Sequence, residues 1–418
     1  MPNTIDLVAP TGTAPGDGRR RRASGRSRSL VHLRVRGFRS VDDASFAPGR
    51  LCALVGDAQV GKSNLLAAVH VLLDENTMVL PSDASTLATA GPIAIEAMLE
   101  TGQQLTFQAT GRDVARAGEP PPVLYLPASE RAANLVADEP ENPLAGQALG
   151  LMREALADQG NGRPPSSGTL PAASLVDGIE ECCVLGIRGL VLLVEEPELY
   201  LRPQAQRYLY RLLRTFAQGG NQVLYTTHSP NLLNVSRLEE LAIVRMTEHG
   251  SRVIQPEALA AGEEFRLLTE FDAQRGELFL SRAALLVEGQ TERLALPFAF
   301  AACGYDHDRE GVSIVECGGK ANIVLFARVC RAVGVPFVAL HDRDRRDDPL
   351  NEAIGALAGE RIVVLDPDFE RVTGLRGGSH KPERAWRRFA SMEREELPDP
   401  LHRAVEQVVE LARSGGER

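Results

Sequence analysis

"LCALVGDAQVGKSNLLAAVHVLL" (residues 51–73) joins three patterns in one run. Leu51 to Val55 is a short apolar strand. Gly56-Asp57-Ala58-Gln59-Val60-Gly61-Lys62-Ser63 fits G-x-x-x-x-G-K-[ST]. Leu65, Leu66, Val69 and Leu72 then recur at helical spacing. Strand, glycine loop and helix in that order form a phosphate cradle, because glycines let backbone N–H groups wrap an anion at a helix N-terminus. Gly56 and Gly61 shape the loop, Lys62 reaches the β- and γ-phosphates of ATP, and Ser63 holds a magnesium ion. A glycine turn arising by chance lacks the flanking strand and helix.

Four further stretches accompany it. Residues 190–194 form a continuous apolar strand that closes on Glu195-Glu196-Pro197-Glu198. In a nucleotide-binding sheet the acid closing such a strand holds the metal's water shell, and the next acid orients the attacking water. Those roles fall to Glu195 and Glu196. "QVLYTTHS" (222–229) is a third strand, with His228 at its end to sense the γ-phosphate. "VHLRVRGFRSVDDASF" (31–46) alternates like an edge hairpin. "VLYLPASERAANL" (123–135) supplies a short strand and then Arg131, which receives no role.

"GKSNLL", "LLVEEPELYLRPQAQ" and "TTHSPNLL" together resemble the phosphate loop, acidic strand and switch-histidine segments of RecF/SMC-like ABC ATPases. The resemblance runs from residue 31 to about 250. It implies that a signature segment of a second copy closes over the ATP, so a homodimer or higher homo-oligomer is expected. That segment falls at Pro165-Ser166-Ser167-Gly168, where Ser167 and Gly168 stand in for the usual pattern. The stretch between Lys62 and Glu195 is too short for long coiled-coil arms, which disfavours a DNA-bridging SMC protein.

From residue 283 the rhythm changes. The strands "AALLVEG", "VSIVECGG", "PFVALHD" and "RIVVLD" alternate with helical patterns, which implies βαβ units and a parallel sheet covered on both faces. Functional groups in such sheets gather outside the carboxyl ends of the strands. Those ends are Glu288, Glu316, Asp342 and Asp366. "FVALHDRDRRDD" (337–348) sets Asp342 and Asp344 two residues apart, so that both face one way along a strand. Two anions on one side repel unless a cation lies between them. Glu292, one helical turn beyond Glu288, faces the same side. A cluster of carboxylates at one edge suits Mg²⁺, or Mn²⁺ in its place. The competing reading is a solvated loop of internal Asp–Arg pairs.

This second half resembles a Toprim domain, with Glu288 and the pair Asp342 and Asp344 on its motif positions. Behind an ATPase, the whole resembles the overcoming-lysogenization-defect (OLD) family of ATP-powered nucleases, along nearly all the chain beyond its first thirty residues. The resemblance implies a further metal group at Asp368 and Glu370, with Asp366 as the alternative to Asp368, and a catalytic lysine at Lys381. It implies two Mg²⁺ ions holding a DNA phosphodiester in line. Arg343, Arg345, Arg346 and Lys320 surround that site, either gripping backbone phosphates or balancing nearby acids.

The expected fold is α/β: an ABC-type P-loop ATPase domain (31–282, with a small insert between the phosphate loop and the acidic strand), then a Toprim-like parallel-sheet domain (283–418) with C-terminal helices. A disordered basic tail occupies 1–30, carrying "RRRRASGRSR" at 19–28. The expected function is an ATP- and metal-dependent DNA endonuclease, in phage defence or repair, with an accessory defence protein among its partners. The alternative is a non-cleaving RecF/SMC-like regulatory ATPase whose second half binds a partner. A topoisomerase needs a separate domain bearing a strand-cleaving tyrosine, for which there is no candidate.

Composition fits these expectations. The chain has 418 residues, 44% hydrophobic and 24% charged, with a net charge of −10. That size calls for more than one domain. No apolar run suits a membrane span, and the first thirty residues lack the apolar core of a signal peptide. The six cysteines form no C-x-x-C, which argues against a zinc site or a disulfide framework. A cytoplasmic location is expected.

Overall fold

The computed structural model describes residues 28–85, 91–128, 142–159, 172–234, 236–257, 275–345, 347–376, 378 and 380–414. Residues 1–27 of the basic tail, Arg131, the segment Pro165 to Gly168 and Arg346 lie outside the described residues; the tail's last three residues are described, and Leu30 already belongs to the first strand. Among the described residues, no helix is long and apolar enough to cross a membrane.

Two strands open the fold, β1 (Leu30–Phe38) and β2 (Val41–Phe46), paired antiparallel as the alternation of 31–46 predicts. β3 (Leu51–Val55) is fully buried and runs through the glycine loop into the helix Lys62–Leu73. The chain then returns to the first hairpin. β4 (Ile93–Leu99), β5 (Gln104–Thr110) and β6 (Asp113–Ala117) extend it into a five-stranded antiparallel sheet of order β2-β1-β4-β5-β6. The hairpin expected from the sequence thus forms the edge of a larger sheet, because the strands that follow the phosphate-loop helix fold back onto it.

β7 (Val123–Leu126), β8 (Val191–Glu195), β9 (Gln222–Thr227), β10 (Leu241–Thr247) and β11 (Gly250–Ile254) join β3 in a second sheet of order β11-β10-β3-β9-β8-β7. All its pairings are parallel except β10 with β11. The strand ending at His228 thus lies between the phosphate-loop strand and the acidic strand. The helix Lys62–Leu73 sits between the two sheets. Leu65, Leu66, Val69 and Leu72 are buried, as their spacing predicts, but so are Ala67, Ala68, Val71 and Leu73. One apolar cluster takes in this helix together with Phe38, Ile95 and Phe107 of the first sheet and Leu54, Leu193 and Leu224 of the second. A helix covered on opposite sides has no solvent stripe to display. Gln222 stitches the layers at their edge: its amide accepts from Leu30 N (2.8 Å) and donates to Leu30 O and Gly49 O (2.8 Å each).

The last sheet is wholly parallel. β12 (Ala283–Val287), β13 (Val312–Glu316), β14 (Phe337–Asp342) and β15 (Ile362–Leu365) stand in the order β13-β12-β14-β15. The helices Gln290–Ala302 and Lys320–Ala332 make the first two crossovers. The helix Asp399–Ser414 lays Leu401, Val405 and Val408 into the cluster that holds Leu285, Val287, Val338 and Leu340. On the opposite face, Ala284, Leu286 and Ala339 share one cluster with Val223, Tyr225 and Leu232 of the first half, through Leu278 and Phe279 in the turn Arg275–Leu280. A continuous apolar cluster across the junction joins the halves as one packed body, in place of two beads on a linker.

Candidate nucleotide and metal sites

The glycine loop has the tight geometry that its residue types dictate. Gly56 and Gly61 have φ of 156° and 97°. A Cβ at Gly56 would stand 2.2 Å from Val244 O, and one at Gly61 2.1 Å from Ser251 Oγ. The hairpin β10–β11 therefore packs directly on the loop, and only glycine fits at either position. The Lys62 ammonium donates to Asp57 O (2.7 Å) and Gly56 O (3.1 Å). Burial pushes it down to about 8, against the opposite pull of Glu196, Asp57 and Glu198. Ser63, at the same turn, is exposed.

The three acids that close and follow β8 take different partners. Glu195 is the buried acid of the three, and its carboxylate accepts from Tyr125 O–H and Ala128 N, both at 3.0 Å. Glu196 sits at φ 43°, its own N–H held by Thr226 O (3.0 Å), and its carboxylate lies 3.8 Å from His228 Nε2. Burial and the Lys62 charge lower the pKa of His228, which favours a neutral ring. Glu198, which carries no assignment from sequence, is half-buried and anchors the start of the His228 segment. Its Oε1 accepts from Thr227 Oγ1 (2.8 Å) and His228 N (2.7 Å), while its Oε2 is buried without a partner. Burial raises its pKa. The signal was the spacing Glu196-Pro197-Glu198, with acids on both sides of a proline.

At the carboxyl edge of the parallel sheet, strand order decides which acids meet. The first crossover leads from β12 to β13 and the second passes back over β12 to β14, so the topological switch point lies between β12 and β14. That is where open parallel sheets bind ligands. Glu288 and Asp342 flank it, and Asp342 N donates to Glu288 Oε1 at 2.8 Å. Asp342 Oδ1 accepts from Phe369 N (2.8 Å). Burial, then the charges of Glu288 and Glu292, push Asp342 up to about 7. Burial likewise raises Glu288 and Glu292, the latter 5% exposed at the start of its helix. The outer strand-end acids are neutralised: Glu316 lies 3.5 Å from Arg293, and Asp366 3.0 Å from Arg343 at an angle that makes no hydrogen bond.

The expectation that Asp342 and Asp344 face the same way is corrected. β14 ends at Asp342, and Asp344 takes φ 53°, so strand alternation no longer applies to it. Its carboxylate meets Lys320 Nζ at 2.8 Å. Lys320 and Arg343 thus balance acids, the second of the two roles open to them, while Arg345 is exposed. Asp368 spends its carboxylate capping the helix Phe369–Thr373 through Arg371 N (2.8 Å). Glu370 pairs with Lys381. Lys381 also feels the charges of Glu292 and Asp342, so it belongs to the same acidic neighbourhood. Among the described residues, no three His, Cys, Asp or Glu side chains are drawn together tightly enough to chelate a metal as they stand. The donor chemistry nonetheless fits a hard divalent cation: the buried Glu292 and the half-buried Glu288 and Asp342 are oxygen donors that repel one another. The six cysteines are unpaired thiols.

Comparison with known proteins supports both halves. Residues 279–344 match the family described as overcoming lysogenization defect protein-like, TOPRIM domain, and residues 109–234 match an AAA domain. The OLD nuclease of Thermus scotoductus is 35% identical over 284 residues, which are 59% of this chain and 54% of that protein. The Old nuclease of Escherichia phage P2 is 27% identical over 161 residues, 37% of this chain and 28% of the phage protein. The chain thus matches about half the length of the first relative, 54%, and less of the second. The C-terminal region of the Burkholderia pseudomallei OLD protein superposes with a TM-score of 0.28 at 16% identity, over 32% of this chain and 99% of that one. Matched at both its ATPase and its Toprim half, the chain is similar to the OLD nucleases.

Proposed function

We propose that the chain is an ATP-dependent, divalent-metal-dependent DNA endonuclease in which the first half binds and hydrolyses ATP and the second hydrolyses phosphodiesters. The observation that carries this reading is the meeting of Glu288 and Asp342 at the switch point of the parallel sheet, with Glu292 beside them and Lys381 within their field. Glu288, Glu292 and Asp342 would hold the metal, with Asp344, Asp368 and Glu370 from the sequence reading as the outer set. Bound there, a divalent metal acidifies a water and offsets phosphate charge. Lys381 adds a fixed cation for the negative charge that builds on the phosphate.

In the first half, Gly56, Gly61, Lys62 and Ser63 would cradle ATP, with Glu195 on the metal side. Glu196 and the neutral ring of His228 are the groups poised to orient a water, and Glu198 fixes His228 through its backbone N–H. Ser167 and Gly168 of a second copy would close the site in a homodimer. The names of the relatives support a nuclease, and hence DNA as the substrate. A role in phage defence and a cytoplasmic location belong to the same proposal. Incubating the protein with supercoiled plasmid, with and without Mg²⁺, Mn²⁺ and ATP, tests it. Metal-dependent nicking is expected, and plasmid intact under every condition would overturn the reading.

A further inference from the structure

Lys320 begins the helix Lys320–Ala332 and is 7% exposed, deep burial for a lysine. Its ammonium faces three oxygens: Asp344 Oδ2 at 2.8 Å, Asp348 Oδ2 at 3.1 Å and Arg343 O at 3.3 Å. The cradle is built from both sides. Asp348 is held by its own capping bond to Leu350 N (3.0 Å). Asp344 is held by the bond from its N–H to Pro367 O (3.0 Å) and by its left-handed backbone, φ 53°. The lysine is tied in turn to the acid cluster. Gly318 N and Gly319 N both donate to Glu288 O, at 2.9 and 2.8 Å, so the turn that launches Lys320 hangs on the backbone of Glu288.

The acids at this edge therefore form two groups. Glu288, Glu292 and Asp342 face one another without an intervening cation that pairs with them directly. Asp344 and Asp348 already share one, supplied by the chain itself. A buried ammonium with three oxygen partners satisfies the need that a second metal ion would otherwise meet.

We infer that Lys320 is the resident cation of the Asp344 position, so that the chain loads one divalent ion, at Glu288, Glu292 and Asp342. This rests on the metal-site reading proposed above and replaces the pair of ions implied by sequence resemblance. Lys320 is a positioning residue: it pairs with Asp344 and Asp348 and leaves the first position to the metal.

Titration of the nucleotide-free full chain with Mn²⁺, followed by calorimetry and by the loss of free-ion electron paramagnetic resonance signal, tests the inference without any turnover. Wild type is expected to saturate at one ion per chain. Lys320→Met is expected to gain a second ion and Lys320→Arg to keep one. Two ions in wild type, or one ion in a folded Lys320→Met, would each overturn it. The wild-type stoichiometry decides even where Lys320→Met fails to fold. Wild type that binds no Mn²⁺, with Glu288→Gln indistinguishable from it, would instead remove the metal site itself and this inference with it.

Discussion

Asp57, in the glycine loop, accepts from Arg282 Nε at 2.8 Å, across 225 positions of sequence. Arg282 immediately precedes β12, whose other end delivers Glu288 to the acid cluster. Arg245 reinforces the junction by donating to Ser281 O at 3.2 Å. Both members of the pair line a cavity of about 1380 Å³ between the halves, with Arg245, Arg252 and Arg361. The glycine loop thus touches the back end of the parallel sheet, and the acids lie at its front end.

Breaking this pair should separate stability from coupling. Half-exposed ion pairs contribute about 0–1 kcal/mol, so Arg282→Ala should melt within a few degrees of wild type. Its ATP hydrolysis should persist while the effect of ATP on plasmid nicking is lost. Nicking assays with and without ATP, beside phosphate release, check both; an unchanged ATP response would exclude the pair as the link.

The nucleotide site makes sharper demands. Lys62→Ala should lose nucleotide binding altogether. Glu196→Gln should bind normally and hydrolyse at least about 100-fold more slowly, the usual loss when a group that handles the water's proton is removed. Fluorescent-nucleotide titration and phosphate release separate the two effects.

Nucleotide affinity should also depend on pH with a defined sign. The Lys62 pKa is lowered to about 8, so its charge is lost as pH rises through that value. Phosphate binding favours the ammonium, so above pH 8 the complex must take up a proton. Affinity should be level with respect to this group below pH 8 and fall by up to about tenfold per pH unit above it. Lys62→Arg, charged throughout, should lack this fall wherever it still binds.

In the second half, Asp342→Ala and Glu288→Ala should each abolish plasmid nicking while ATP hydrolysis continues. The strand ends that carry them are remote in sequence from the glycine loop and face the opposite end of the sheet. Equal nicking by wild type and both variants would return "HDRDRRDD" to a solvated loop and leave an ATPase of unknown output.

Gln222 offers a test of the layer junction. Gln222→Leu removes the partners of Leu30 N, Leu30 O and Gly49 O in a buried place. Orphaned buried groups cost about 1–3 kcal/mol, so a fall in melting temperature of several degrees is expected by calorimetry.

Sequence by itself determined what contiguous residues can encode. The glycine loop was legible because strand, turn and helix are neighbours in the chain, while the clashes that demand Gly56 and Gly61 come from Val244 and Ser251 of the distant hairpin β10–β11. Strand ends were legible for the same reason: apolar runs closing on Glu195, Glu288 and Asp342 mark where the backbone leaves a sheet. Which strand ends meet was a matter for the tertiary structure alone. Glu288 and Asp342 are 54 positions apart, and only the order β13-β12-β14-β15 makes them neighbours. The same holds for Asp57 with Arg282, for Lys320 with Asp344, and for the return of β4, β5 and β6 to the first hairpin. Where alternation was extended past the end of a strand, as at Asp344, it failed, because a left-handed residue redirects the side chain. Periodicity describes a continuing element, and pairing at a distance depends on how the packed cores arrange those elements.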